Sequence, residues 1–206
     1  KNHPVHARLI VDRTAVAPGG TFRVGLHLTQ DAGWHTYWKS PGEIGLPTSI
    51  TWNVPGDAEP YQYPVPQRFE QEEMVSFGYD GGVLLFSEVK VPEDAATGEV
   101  AIGAEADWLV CDPSCIPGRV SLASTITVGP GGEPSAFAPL FDHFAAQHPV
   151  DDLDGHQARL VLSEQGVGAF APFTAVLELK GPAKIATDTA RYAFAPIAIG
   201  DWMINE

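Results

Sequence analysis

Cysteine is nearly absent from this chain, with Cys111 and Cys115 the only two in 206 residues. That excludes the disulfide-built scaffolds on which small secreted domains rely. Methionine is as scarce, limited to Met74 and Met203, which excludes a methionine-rich copper site. Basic residues are also few: 12 Lys plus Arg face 26 Asp plus Glu, a formal charge of -14. Such a balance repels phosphate backbones and anionic lipid headgroups and argues against nucleic-acid binding. No apolar run approaches the roughly 20 residues that a membrane-spanning helix needs, and no basic-plus-apolar leader opens the sequence. The last residues, "AIGDWMINE", follow directly on a strand-like segment without a terminating signal, which reads as a boundary within a longer chain.

What is present is enough apolar residue, 44% of the chain, to bury a core without covalent help. The dominant pattern is short apolar-polar alternation punctuated by Gly and Pro. Val5, Ala7, Leu9 and Val11 share one face of a first strand, and Phe22, Val24, Leu26 and Leu28 one face of a second. Further strands are expected at Trp34 to Trp38, Ser49 to Asn53, Val83 to Val91, Glu99 to Val110 and Arg119 to Val128. Short half-buried strands at this spacing predict a mainly β chain with a β-sandwich over residues 1–129. The stretch "VGPGGEPS" has linker composition, so residues 130–156 are expected to be a linker plus a short helix. Phe137, Leu140, Phe141 and Phe144 mark the helix's apolar face, and Pro149 ends it. Strand patterns resume at Gln157 to Ser163, Phe173 to Lys180 and Arg191 to Ile199, read as a second β-rich domain over residues 157–206, begun but not completed.

Chemistry concentrates in "WLVCDPSCIPG", Trp108 to Gly118, which holds both cysteines. Closing a loop this short stabilises a fold by only roughly 2 kcal/mol in the chain-entropy treatment, against about 4.7 kcal/mol for a 100-residue loop. The pair is therefore poorly placed as a staple. Residues four apart in an extended strand lie roughly 13 Å apart, whereas a disulfide needs Cα atoms within about 7 Å. The chain must fold back at "DPSC", where Asp112, Pro113 and Ser114 are turn formers. A loop-borne redox pair ranks above an inert local disulfide and a two-thiolate copper(I) clamp. His35, among aromatic neighbours, reads as a packed or edge histidine rather than a ligand. Three residues between the cysteines, a following Pro-Gly and no βαβ context exclude a thioredoxin fold.

Three segments, "GWHTYWKSPGEIGLPTSITW" (Gly33 to Trp52), "EEMVSFGYDGGVLLFSEVKVP" (Glu72 to Pro92) and "ADWLVCDPSCIPG" (Ala106 to Gly118), together resemble the N-terminal periplasmic domain of the DsbD and ScsB type transmembrane thiol-disulfide reductases. The resemblance covers residues 1 to about 129. It implies an immunoglobulin-like β-sandwich in the periplasm, part of an inner-membrane protein, acting as a protein-disulfide reductase without a cofactor or metal. Electrons would arrive from a thioredoxin-like periplasmic domain of the same parent protein and leave to disulfide-bearing periplasmic proteins. Cys111 and Cys115 would be the redox couple, with Cys115 forming the mixed disulfide and Cys111 resolving it.

The resemblance also implies a cap loop over the cysteines, matched here by "MVSFGYDGG" with Phe77 and Tyr79 as covering rings. Tyr37, Asp112 and Trp108 are the candidate neighbours of the site. The spacing of the cysteines is shorter than in the DsbD prototype, and a further globular segment follows; both look more like the ScsB branch, associated with copper tolerance. Two other readings use the same cysteines: a copper(I) chaperone or sensor domain, and a structural envelope sandwich with an inert disulfide.

Overall fold

Alternation sets the architecture. In β3 (Thr21–Gln30), Phe22, Val24, Leu26 and Leu28 are at most 1% exposed and face inward, as period two requires. Residues 3–71, 74–149, 157–162 and 175–180 are described in the computed structural model of the chain. β3 lies between β1 (Val5–Val11) and β9 (Val83–Lys90), and the two-residue β6 (Asp57–Ala58) completes a four-stranded sheet beside β9. The second sheet runs β2 (Ala15–Val16), β11 (Ser114–Val128), β10 (Gly98–Asp112), β4 (His35–Gly42), β8 (Met74–Asp80) and β7 (Gln67–Gln71). β5 (Ser49–Asn53) also pairs with β10.

The sheets close on two apolar clusters. One unites Leu26, Leu28 and Leu85 with Trp38, Phe77, Tyr79, Trp108 and Val110; the other joins Val16, Phe22, Val24, Val89, Ile102 and Ile126. Each fully buried large apolar side chain stabilises the fold by roughly 1.5–3 kcal/mol over its exposed state. The mainly β sandwich expected from the sequence is therefore present.

The helix forms as its spacing predicts, α1 (Ala138–Ala145), and stops before Pro149. Phe141 is fully buried. Its ring meets Phe86 at 5.3 Å, and a Cβ at Gly25 would lie 3.0 Å from it. Gly25 therefore lets the helix seat on the outer face of the four-stranded sheet. The same helix explains Ile10 and Leu84, which alternation assigns to solvent and which are 5% and 0% exposed. The chain leading into α1 is tied to the sandwich: Thr14, Gly132 and Ser135 donate backbone N–H groups to Glu133, Ala15 and Asp12. Arg23 bridges Asp12 and Asp142.

Beyond this, β12 (Gln157–Leu162) and β13 (Ala175–Lys180) form an antiparallel pair with Gln157 opposite Lys180. The strand expected at Arg191 to Ile199 lies outside the described residues.

Burial depresses three histidines. His27, His35 and His148 are each held below their ordinary value of 6.5, chiefly by desolvation of the charged ring; Arg8 adds to this at His27, and nearby aspartates oppose it at His35. In the unfolded chain these rings take protons at higher pH than in the fold, so protonation favours unfolding. Stability should be full above about pH 6.5 and decline as the pH falls below it. Urea midpoints measured at about pH 7.5 and pH 5 should move downward, with the slope unchanged.

Candidate functional site

β10 and β11 form one long hairpin whose register continues to the tip, pairing Trp108 with Gly118, Val110 with Ile116, and Cys111 with Cys115. The strands thus extend beyond the sequence-based limits at Val110 and Arg119, and only Pro113 stands between them at the apex. Cys111 and Cys115 are joined as a disulfide with their Cα atoms 4.1 Å apart. Fold-back at "DPSC" is what brings them together.

The two sulfur-bearing residues differ sharply in access: Cys111 is 0% exposed, whereas Cys115 is exposed. Along β10, Ala106, Trp108 and Val110 point into the core, so Cys111, one residue on, stands on the opposite, outer face of the sheet. Its partner across β4 is His35, and His35 is in turn opposite Asp80 of β8. Tyr37 follows on the same face and is fully buried. Gly45, with a φ of +109°, lies directly on the Tyr37 ring, where a Cβ would come within 2.2 Å of it. Only glycine allows that approach in that backbone conformation.

Part of the outer face is covered by a side chain of the edge strand β7. Phe69 stacks on His35 with centroids 4.4 Å apart and 14° between planes, and His35 meets Tyr37 edge-on at 5.2 Å. Gln71 Nε2 donates to the Pro113 carbonyl at 3.4 Å, tying the end of β7 to the turn between the cysteines. Burial pushes the Tyr37 phenol up. Burial also pushes the His35 ring down, with Asp112 and Asp80 pulling the other way.

The sequence-derived neighbours divide between the two faces. Tyr37 is on the outer face with Cys111, and exposed Asp112 follows Cys111 directly, its carboxylate against Gly33 of the preceding turn. Trp108 belongs to the core, and a Cβ at Gly118 would come within 2.3 Å of its indole. Phe77 and Tyr79 are 1% and 5% exposed members of the inter-sheet core. They lie in strand β8, paired with β7, rather than in a loop over the sulfurs, because Val75, Phe77 and Tyr79 alternate as one strand face. The Tyr79 hydroxyl donates to Pro64 O at 2.7 Å. Sequence reasoning missed Phe69 and passed over His35. Phe69 stands alone among polar residues in "QRFEQ", the one signal that marked it. Among the described residues, no group of three or more His, Cys, Asp and Glu is gathered as a metal site.

A mainly β, immunoglobulin-like sandwich whose longest hairpin ends in a cysteine pair, one member shielded and one accessible, is the class that fold and site define. Residues 6–127, more than half of the chain, match the family described as "Thiol:disulfide interchange protein DsbD, N-terminal", and the chain belongs to that family. It is accordingly a thiol-disulfide interchange module. Among solved structures it is similar to the N-terminal periplasmic domain of ScsB from Proteus mirabilis, with a TM-score of 0.56 over 87% of this chain and 81% of that one. Identity is 19%, so this likeness speaks for the fold. Comparison with curated proteins returns no significant match.

Proposed function

We propose that the chain is a periplasmic protein-disulfide reductase module that hands two electrons from a thioredoxin-like domain of its own parent protein to disulfides of other periplasmic proteins. The observation that carries this reading is the unequal access of the two cysteines. Exposed Cys115 attacks an incoming disulfide and forms the mixed disulfide; buried Cys111 then displaces the partner and closes the intramolecular bond. Sulfur carries the electrons, so the reaction calls for no cofactor.

Phe69 is the covering ring in this reading. β7 and β8 together form the cap: Phe69 and Gln71 close over His35 and the cysteine turn, while Phe77 and Tyr79 anchor the hairpin from the core side. Shielding Cys111 keeps small oxidants from the resolving thiol, while Cys115 stays open to a partner. Residues 1–129 with α1 form the redox unit in this reading, and the second β-rich domain expected over residues 157–206 falls largely outside the described residues. The family membership and the placement of the envelope relative support the periplasmic assignment.

Titration of the pair against glutathione, followed by the mass shift on alkylation, tests the proposal. A reversible midpoint near those of periplasmic thioredoxin-like carriers is expected. A pair that resists reduction until the fold melts would make it an inert structural bond. Stoichiometric copper(I) held against a strong chelator would favour the metal-binding alternative.

A further inference from the structure

The buried member of the pair raises a problem of proton transfer. Resolution requires Cys111 to become a thiolate, because the thiolate is the nucleophile. Cys111 is 0% exposed, so bulk water is a poor destination for its proton. A neighbour on its own face must receive it.

We propose that His35 accepts the Cys111 thiol proton during resolution, an assignment that rests on the order of cysteine roles given above. His35 is the register partner of Cys111, and side chains of opposed antiparallel residues have Cβ atoms roughly 4.5–5.5 Å apart on one face. Its ring is fixed from two sides, flat against Phe69 and edge-on to Tyr37. Its Nε2 is enclosed and has no hydrogen-bond partner among the described residues. An imidazole is better matched to a thiol than a carboxylate is, since its ordinary pKa lies closer to neutrality.

The charged groups around the ring fit the role. Burial keeps the imidazole neutral and able to accept. Asp112 at the tip of β10 and Asp80 on β8 favour its charged form, so they stabilise the imidazolium once the proton has moved. Tyr37 on β4 presents a phenol whose oxygen is likewise without a partner among the described residues. On β7, Phe69 and Gln71 face the site, whereas Arg68 and Glu70 alternate to the other side and pair with each other. Lys39, further along β4, holds its ammonium over the Trp38 ring. Glu72 and Glu73, between β7 and β8, lie outside the described residues.

In the mixed disulfide, the Cys111 S–H bond breaks and its proton passes to the imidazole. The Cys111 sulfur attacks Cys115 Sγ, forming the Cys111–Cys115 bond as the bond from Cys115 to the partner breaks. The electron pair leaves on the partner's sulfur, which is protonated by the imidazolium or by solvent. Over both steps the partner disulfide gains two electrons and two protons, and the dithiol loses the same.

An aromatic disulfide that releases coloured nitrothiobenzoate separates the two steps in a stopped-flow experiment on the reduced protein. The first release reads attack by Cys115, the second reads resolution by Cys111. His35→Gln should leave the first release within about twofold and slow the second on the order of 10²-fold at neutral pH. In the parent protein the second phase should slow as the pH drops below His35's depressed pKa, and that acid limb should vanish in the variant. His35→Phe keeps a ring to stack on Phe69 but has no nitrogen, and it should be as slow as His35→Gln. A second phase unchanged in both variants overturns the proposal, as does His35→Phe behaving like the parent while only His35→Gln is slow, since that assigns His35 a packing role. If Cys115→Ser still gives the first release while Cys111→Ser does not, the cysteine order fails instead, a result distinct from any change in the second phase.

Discussion

Cys115→Ser should abolish covalent capture of a partner, whereas Cys111→Ser should accumulate the mixed disulfide, and both should reduce multiple-turnover disulfide reduction to the uncatalysed background. The asymmetry follows from access. A serine at the exposed position 115 removes the one cysteine sulfur of the pair that a partner can reach, since Cys111 is fully enclosed. A serine at 111 leaves that first attack intact and removes the group that ends it. Non-reducing electrophoresis after mixing reduced protein with a disulfide-bearing substrate distinguishes the two variants. Equal trapping by both would refute the division of roles. Neither change should unfold the protein, because the lost cross-link closes a very short loop and stabilises by roughly 2 kcal/mol at most. Near-complete loss of activity with modest loss of stability separates a reactive pair from a structural one.

Phe77→Ala and Phe69→Ala should produce opposite outcomes, although the two aromatics are only eight residues apart in sequence. Phe77 is 1% exposed between the sheets, packed with Tyr79, Trp38 and Val110 in the larger core cluster. Truncating a buried phenylalanine costs about 3–5 kcal/mol through lost transfer energy and the cavity left behind. Phe69 is only half-buried and rests on His35 at the outer surface. Its truncation should cost about 1 kcal/mol, near the centre of the range for point changes, but should raise the alkylation rate of reduced Cys111 several-fold. Paired measurements of urea midpoint and thiol alkylation under native conditions check both. If Phe77→Ala opened the thiols while leaving the midpoint in place, the cap would belong to β8 after all.

These contrasts also show what the residue pattern could reveal. In the four-stranded sheet β1, β3 and β9 were legible, β3 most plainly because Phe22, Val24, Leu26 and Leu28 alternate without interruption, whereas the two-residue β6 carries no such pattern. The turn at "DPSC" was legible because two cysteines that must meet leave the chain no extended option. The period-two run of Val75, Phe77 and Tyr79 also carried a strand signal, and it accounts for the lid residues being core residues. By contrast, β7 is a polar edge strand, "QRFEQ", and nothing in its composition demands pairing. Ile10 and Leu84 look like errors of alternation until α1 covers them. The meeting of His35 with Cys111 was beyond reach because it depends on the register between β4 and β10, strands separated by most of the domain. Such long-range register is set by packing as a whole rather than by any local motif.

The long β10–β11 hairpin has a consequence for endurance. Below the cysteines, its outer face is laced by Arg119 to Asp107, Ser121 to Glu105 and Thr125 to Glu99, while Trp108 and Val110 root its inner face in the core. Making or breaking the sulfur bond therefore changes only one rung, next to the tip, of a ladder already held along its length. The sandwich works as an inert handle, and wear is confined to one replaceable contact at its end. A module arranged in this way can pass through many rounds of oxidation and reduction without once revisiting the barrier to folding.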